Sequence, residues 1–122
     1  GCPPSRPCLR RPRPTSPRIV SRADSKRGHQ RERDLVHYLR DNDWFAMRAP
    51  ASLGVADVIA MRDGDRPRMY EVKSTRHGPY AGFPPADRER LRVAAKMAGA
   101  DCFLCWHPPH GKRHFIGPDE WP

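Results

Sequence analysis

The chain has 122 residues, 37% of them hydrophobic and 30% charged, with 23 Lys and Arg against 14 Asp and Glu and a net charge of +9. That length suits one compact domain with little stability to spare for unpaired buried charge, and the positive balance points to a polyanionic partner. No run approaches the roughly 18 apolar residues needed to span a bilayer, and no apolar segment follows the basic amino terminus. A membrane protein is therefore not expected, and the expected setting is cytoplasmic.

Residues 1–24 hold six prolines and six arginines, with scattered apolar residues in no helix or strand period. They are expected to form a disordered tail, adding at most nonspecific attraction for phosphate. The folded domain is then expected over 25–122. Ser25 can cap a helix on which Glu32, Leu35, Val36 and Leu39 share one face. Trp44 to Ala49 reads as a short strand, Pro50 to Gly54 as a loop and Val55 to Met61 as a second strand. Asp63, Gly64 and Asp65 are a turn signal, and extended structure resumes from Arg68 to Ser74, which makes a hairpin.

Residues 75–84 form a loop punctuated by Gly and Pro, after which Pro84 and Pro85 can begin a helix. Leu91, Ala94, Ala95 and Ala98 share its apolar face, and Gly99 suits the residue that ends it. Cys102 to Trp106 reads as a buried strand, Pro108 to Gly111 as a turn, and Arg113 to Ile116 as a final strand. The order αβββαββ, with no internal repeat, gives an α/β fold with a central mixed β-sheet flanked by helices.

With Gly64 at the hairpin apex, opposed residue numbers sum to 128, which sets Asp57 against Glu71. Opposed side chains have Cβ atoms about 4.5–5.5 Å apart, and like charges at that spacing repel, so a cation is expected between them. The two-residue period puts Lys73 on the face of Glu71 and turns Val72 away. Glu32 lies on the apolar face of the first helix and points at the sheet, where an unpaired carboxylate is costly. Three inward carboxylates and a lysine form an oxygen-rich site suited to Mg²⁺ with several waters retained. A metal there can polarise a phosphodiester and acidify a bound water, which Lys73 can orient.

These segments resemble the archaeal Hjc type of Holliday junction resolvase, within the restriction-endonuclease-like PD-(D/E)xK nucleases, from about Lys26 to Ile116. The resemblance rests on KRGHQRERDLVHYLRDNDWFAMRAP and on VADVIAMRDGDRPRMYEVKST. It implies a restriction endonuclease-like core and a metal-dependent DNA endonuclease. Glu32, Asp57 and Glu71 match the acidic metal-site residues, Lys73 the catalytic lysine, and Val72 a residue offering its carbonyl to metal. Ser52 lies near the family's loop serine, and Arg48 matches its strand arginine. Mg²⁺ is the implied cofactor, with Mn²⁺ able to substitute. The chain departs from the family in the ASLGVAD loop and at the start of the second helix, where Asp87, Arg88 and Glu89 stand and a glutamine is often seen.

The implied substrate is a four-way DNA junction. Its two-fold symmetry calls for two symmetric cuts, so a chain with one site is expected to act as a C₂ homodimer. Arg76, His77, Tyr80 and Phe83 follow the lysine strand, where a cation can hold phosphate and an aromatic ring can stack on a base. Two other readings stay open. One is a PD-(D/E)xK endonuclease cutting linear, nicked or mismatched duplex. The other is a non-catalytic basic DNA-binding module with structural zinc at Cys102 and Cys105. On a strand those two thiols face opposite sides, which favours packing roles for both.

Overall fold

The hairpin around Gly64 lies at the centre of the observed sheet. The computed structural model describes residues 22–50 and 54–122. In chain order its elements are helix α1 (Arg22–Asp41), strands β1 (Phe45–Arg48), β2 (Val58–Met61) and β3 (Arg68–Lys73), helix α2 (Pro85–Ala98), and strands β4 (Asp101–Trp106) and β5 (His114–Ile116). A 3₁₀ turn at Pro118–Glu120, not anticipated, follows β5. The expected order αβββαββ is the order found.

Helix α1 starts at Arg22, ahead of the expected cap at Ser25, which therefore lies within the helix. Arg22, Ala23 and Asp24 contain no breaker, and the nearest upstream proline is Pro17. The reading of residues 1–24 as a disordered tail falls, apart from its last three positions, outside the described residues, as does Ser52. Among the described residues no helix is long and apolar enough to cross a membrane.

The five strands lie in the order β1-β2-β3-β4-β5. β2 and β3 pair antiparallel with Val58 opposite Tyr70 and Ala60 opposite Arg68, the register counted from Gly64. Gly64 takes φ 84°, which a residue with a Cβ adopts only under strain. β3 and β4 are parallel, from Arg68 opposite Asp101 to Lys73 opposite Trp106, and α2 is the crossover that parallel pairing requires. Gly99, in the left-handed region, ends α2 as expected.

Each face of the sheet has its own core. On one, Leu35, Val36 and Leu39 of α1 pack with Ala46, Val58, Ala60, Tyr70 and Cys105. On the other, Leu91 and Ala95 of α2 pack with Met69, Cys102, Leu104, Phe83 and Trp121. β2 begins at Val58 and not at Val55, because Val55 and Ala56 turn into the α2 core. Cys102 and Cys105 thus belong to opposite faces, both buried, and a zinc ion held by the pair is ruled out. Burial pushes the Cys105 thiol up to about 12, which keeps it an uncharged packing group.

Leu104 is fully buried between the sheet and α2. Leu104→Ala is expected to cost about 2–5 kcal/mol of stability through lost burial and the cavity left behind, read as a lower urea midpoint with an unchanged slope.

Candidate active site

Asp57 is fixed by its own backbone as much as by its side chain. Its N–H donates to the Tyr70 carbonyl at 2.8 Å, and its carbonyl accepts from the Ala49 N–H at 2.8 Å. The β1-β2-β3 array is thereby extended one residue past the end of β2. The Asp57 carboxylate then accepts the Val72 N–H through Oδ2 at 2.9 Å. Val72 thus serves the site through its amide, while its side chain packs against the α1 core.

Glu71 and Lys73 alternate with Val72 on β3, and Lys73 Nζ lies 3.0 Å from Glu71 Oε2. Lys73 is held at the strand end, where its carbonyl accepts the His107 N–H at 2.8 Å. Gly82, with φ 79°, closes over the ammonium: a Cβ there would stand 3.6 Å from Nζ. Glu32 reaches the same region from α1, and its Oε1 accepts from Arg48 Nε at 3.0 Å. A cavity of about 410 Å³ is lined by Glu32, Arg48, Asp57 and Glu71 together with Asp87 and Arg90.

The expected meeting of three carboxylates is corrected in one respect. Asp57 and Glu71 do approach each other, but Glu32 is drawn aside by Arg48. Among the described residues no three His, Cys, Asp or Glu side chains cluster as a cage for an ion. Two residues unrecognised as site members also line the cavity, Asp87 and Arg90, which form an ion pair on the first turns of α2. Their charges are plain in the sequence, but only the α2 crossover carries them to Glu71.

Charge is crowded here. The Glu71 carboxyl is raised from 4.5 to about 7: burial is the largest cause, repulsion from Asp57 adds to it, Lys73 opposes, and Asp87 adds a smaller upward push. Asp57 is also raised, first by burial; the Val72 N–H works against this, the charge of Glu32 adds to it, and Lys73 and Arg48 oppose it. Two neighbouring carboxyls of raised proton affinity mark a site short of positive charge. Its donors are all oxygen, which suits a hard divalent cation that keeps several waters.

Of the residues placed in the loop after β3, Arg76 and His77 are exposed and line a second cleft, with Arg31, Lys73, Trp106 and His110. Tyr80 turns the other way. It packs on the α2 core, its hydroxyl donates to the Glu120 carbonyl at 3.3 Å, and Arg88 covers its ring. Phe83 is buried edge-on against Trp121. Apolar contact with the C-terminal segment thus outweighs exposure for both rings, and neither presents a free face to a base.

The carboxyl shifts carry a pH signature. The folded pKa of Glu71 lies above its ordinary value, so its stabilising contribution is full below pH 4.5 and is lost as pH rises through about 7. Metal-free protein should therefore lose on the order of 3 kcal/mol between those limits. Glu71→Gln should flatten the profile, as measured by urea unfolding at a series of pH values. A wild-type profile that is flat or rising there would contradict the crowding described.

The family model of the archaeal Holliday junction resolvase (Hjc) matches residues 23–121. The crossover junction endodeoxyribonucleases Hjc of Sulfurisphaera tokodaii and Sulfolobus acidocaldarius are each 34% identical to this chain over 87 residues, which cover 67% of the chain. The chain spans 60% of the length of these curated relatives. Among solved structures, that of Archaeoglobus fulgidus Hjc, a Holliday junction resolvase from an archaeal hyperthermophile, matches with a TM-score of 0.65 and 25% identity. The match covers 75% of this chain and 72% of that one.

Proposed function

Because the chain belongs to the archaeal Holliday junction resolvase (Hjc) family, we propose that it is a divalent-metal-dependent endodeoxyribonuclease that cuts four-way DNA junctions by paired nicks, acting as a C₂ homodimer in the cytoplasm. The observation that carries this reading is the pair Asp57 and Glu71 held side by side at the end of the β2–β3 hairpin, with Lys73 on Glu71 at 3.0 Å. The folded unit that does this is assigned to residues 25–122, extended upstream to the start of α1.

Asp57 and Glu71 would hold the ion, with Glu32 available at the cavity wall and the Val72 carbonyl assigned to it by the family resemblance. Mg²⁺ suits this all-oxygen set, with Mn²⁺ as a substitute. When bound, such an ion polarises a phosphodiester and lowers the pKa of a coordinated water. The chain supplies the rest. Asp57 is preorganised by the Val72 amide and costs little to order. Lys73, its backbone held by the His107 N–H and its ammonium beside Gly82, can orient the attacking water and offset charge gathering on the phosphate. Arg48 lies at the cavity with its guanidinium on Glu32, placed to hold a neighbouring phosphate. Arg76 and His77 offer further contacts along the cleft beyond Lys73, and Ser52, outside the described residues, keeps the role implied by its resemblance to the family's loop serine.

Asp57→Asn and Glu71→Gln should each lose roughly 10³-fold in cleavage rate, the equivalent of about 4 kcal/mol of transition-state stabilisation, while still binding junction DNA. In metal-free melting near neutral pH they should be as stable as wild type or more so, because each relieves repulsion between the two carboxyls. Lys73→Ala should also cut poorly but melt lower. Cleavage assays on junction, flap and linear DNA, with Mg²⁺, Mn²⁺ or EDTA, measure the activity, and calorimetry measures the stability signs. Full cleavage in EDTA, or equal cutting of linear duplex, would refute the reading.

A further inference from the structure

α1 packs over β1, β2 and β3, so on that side of the sheet β4 and β5 carry no helix. Aromatic rings line the surface there. Between centroids, Tyr70 lies 5.5 Å from Phe103 across the β3–β4 ladder and 5.9 Å from Phe115 on β5, and Phe115 lies 5.7 Å from Tyr38 of α1. The rings pack on one another at these distances, yet Tyr38 and Phe115 remain 42% and 40% exposed. With Trp44 at one end, they floor a basin of about 330 Å³ that shares no lining residue with the carboxylate cavity or with the cleft beyond Lys73.

Three arginines stand around this floor, and they differ in what neutralises them. Arg62 is held within the fold: its Nε lies 2.7 Å from Asp65 Oδ2, and its Nη1 donates to the Asn42 carbonyl at 2.9 Å. Arg68, at the start of β3, lies flat among rings, 4.3 Å from the Trp44 centroid and 5.4 Å from that of Phe103, and its Nη1 donates to the Tyr70 hydroxyl at 3.4 Å. Asp101, its partner across the ladder, is engaged by Arg66 at 3.1 Å. Arg113 lies 4.8 Å over the Tyr38 ring. Among the described residues neither Arg68 nor Arg113 forms an ion pair.

We propose that this basin binds a nucleotide, its base laid on the exposed rings and its phosphate on Arg68. Aromatic side chains accept any base by stacking, and an unpaired guanidinium offers a planar, weakly hydrated fork that matches phosphate. A purely apolar ligand would leave the Arg68 charge unmet, and an inorganic anion would leave the rings bare. Size agrees: the volume lies at the small end of ligand pockets, about 300–1,000 Å³, which suits one base with its sugar and phosphate. Paired DNA is a poor occupant, because its base faces are covered by their neighbours. The basin is also not the seat of the scissile phosphate, since Arg68 and Lys73 stand five residues apart on β3, roughly 17 Å along the strand. A free nucleotide and an unpaired residue of a single strand present the same base and phosphate, and the site goes beyond the proposed cleavage without depending on it.

The test is calorimetric titration of the full chain in EDTA. Deoxyadenosine monophosphate should bind once per chain with a Kd below about 1 mM, and deoxyadenosine or inorganic phosphate alone at least roughly tenfold more weakly. Arg68→Gln should weaken the mononucleotide about tenfold through the lost charged contact. Phe115→Leu and Tyr38→Leu, which keep apolar packing but remove a ring, should do so to a similar degree, each with wild-type far-ultraviolet circular dichroism. Arg76→Gln, in the cleft beyond Lys73, should leave this binding unchanged. A deoxyadenosine hexamer that binds more tightly than the monomer through Arg68 makes a single strand the source, and one that binds no better makes it the free nucleotide. The proposal is overturned if phosphate or the nucleoside alone binds as well, if the Arg68 and ring variants bind as wild type does, or if Arg76→Gln abolishes binding. Failure of the mononucleotide to bind also overturns it, and binding of an acidic, tyrosine-containing peptide in its place would make the basin a protein-docking site.

Discussion

Two carboxylates that repel each other set the terms for this molecule. Asp57 and Glu71 stand opposed where the β2–β3 hairpin opens, partly removed from water, and each is pushed toward its protonated form. Lys73 and the Val72 amide offset part of that repulsion, and the remainder is stored as affinity for positive charge. A domain of this size has little stability to spend, so the rest of the fold must hold the pair against its own tendency to separate.

The fold does this with two cores on opposite faces of one sheet. β3 lies at its centre, antiparallel to β2 and parallel to β4, and it carries both Glu71 and Lys73. Parallel pairing needs a crossover, and α2 as that crossover starts beside the carboxylates, so Asp87 and Arg90 become part of the cavity wall. α1 brings Glu32 from the other face, where Arg48 intercepts it. Each helix thus contributes a carboxylate already paired with arginine, while the hairpin contributes the two that are short of cations. That difference separates the two carboxylates short of positive charge from the residues that shape the field around them.

The same topology divides the surface by function. The cavity and the cleft beyond Lys73 gather Arg31, Arg48, Arg76 and His77, the side that suits phosphate. The outer face of β1 and β2, beyond the reach of α2, keeps Phe45, Met47 and Met61 exposed. One sheet face therefore carries the carboxylate cavity at one end and an uncovered apolar floor along its length.

Much of this was legible in the sequence, because it depends on short-range periodicity. The turn at Gly64 fixed the sum of 128 and hence the opposition of Asp57 to Glu71; alternation put Lys73 with Glu71 and sent Cys102 and Cys105 to different faces. Helical spacing turned Glu32 inward with Leu35, Val36 and Leu39. The motifs around these residues also carried the family resemblance. What the sequence left undetermined depends on contacts between distant segments. Glu32 lies beside Arg48 because α1 packs across β1, Tyr80 and Phe83 are taken up by Trp121 and Glu120 nearly forty residues on, and Asp87 and Arg90 reach the site only through the handed crossover into β4. Such pairings are set by how whole elements dock. A local pattern can say which way a side chain points from its own helix or strand, but only the assembled layers decide what it meets there.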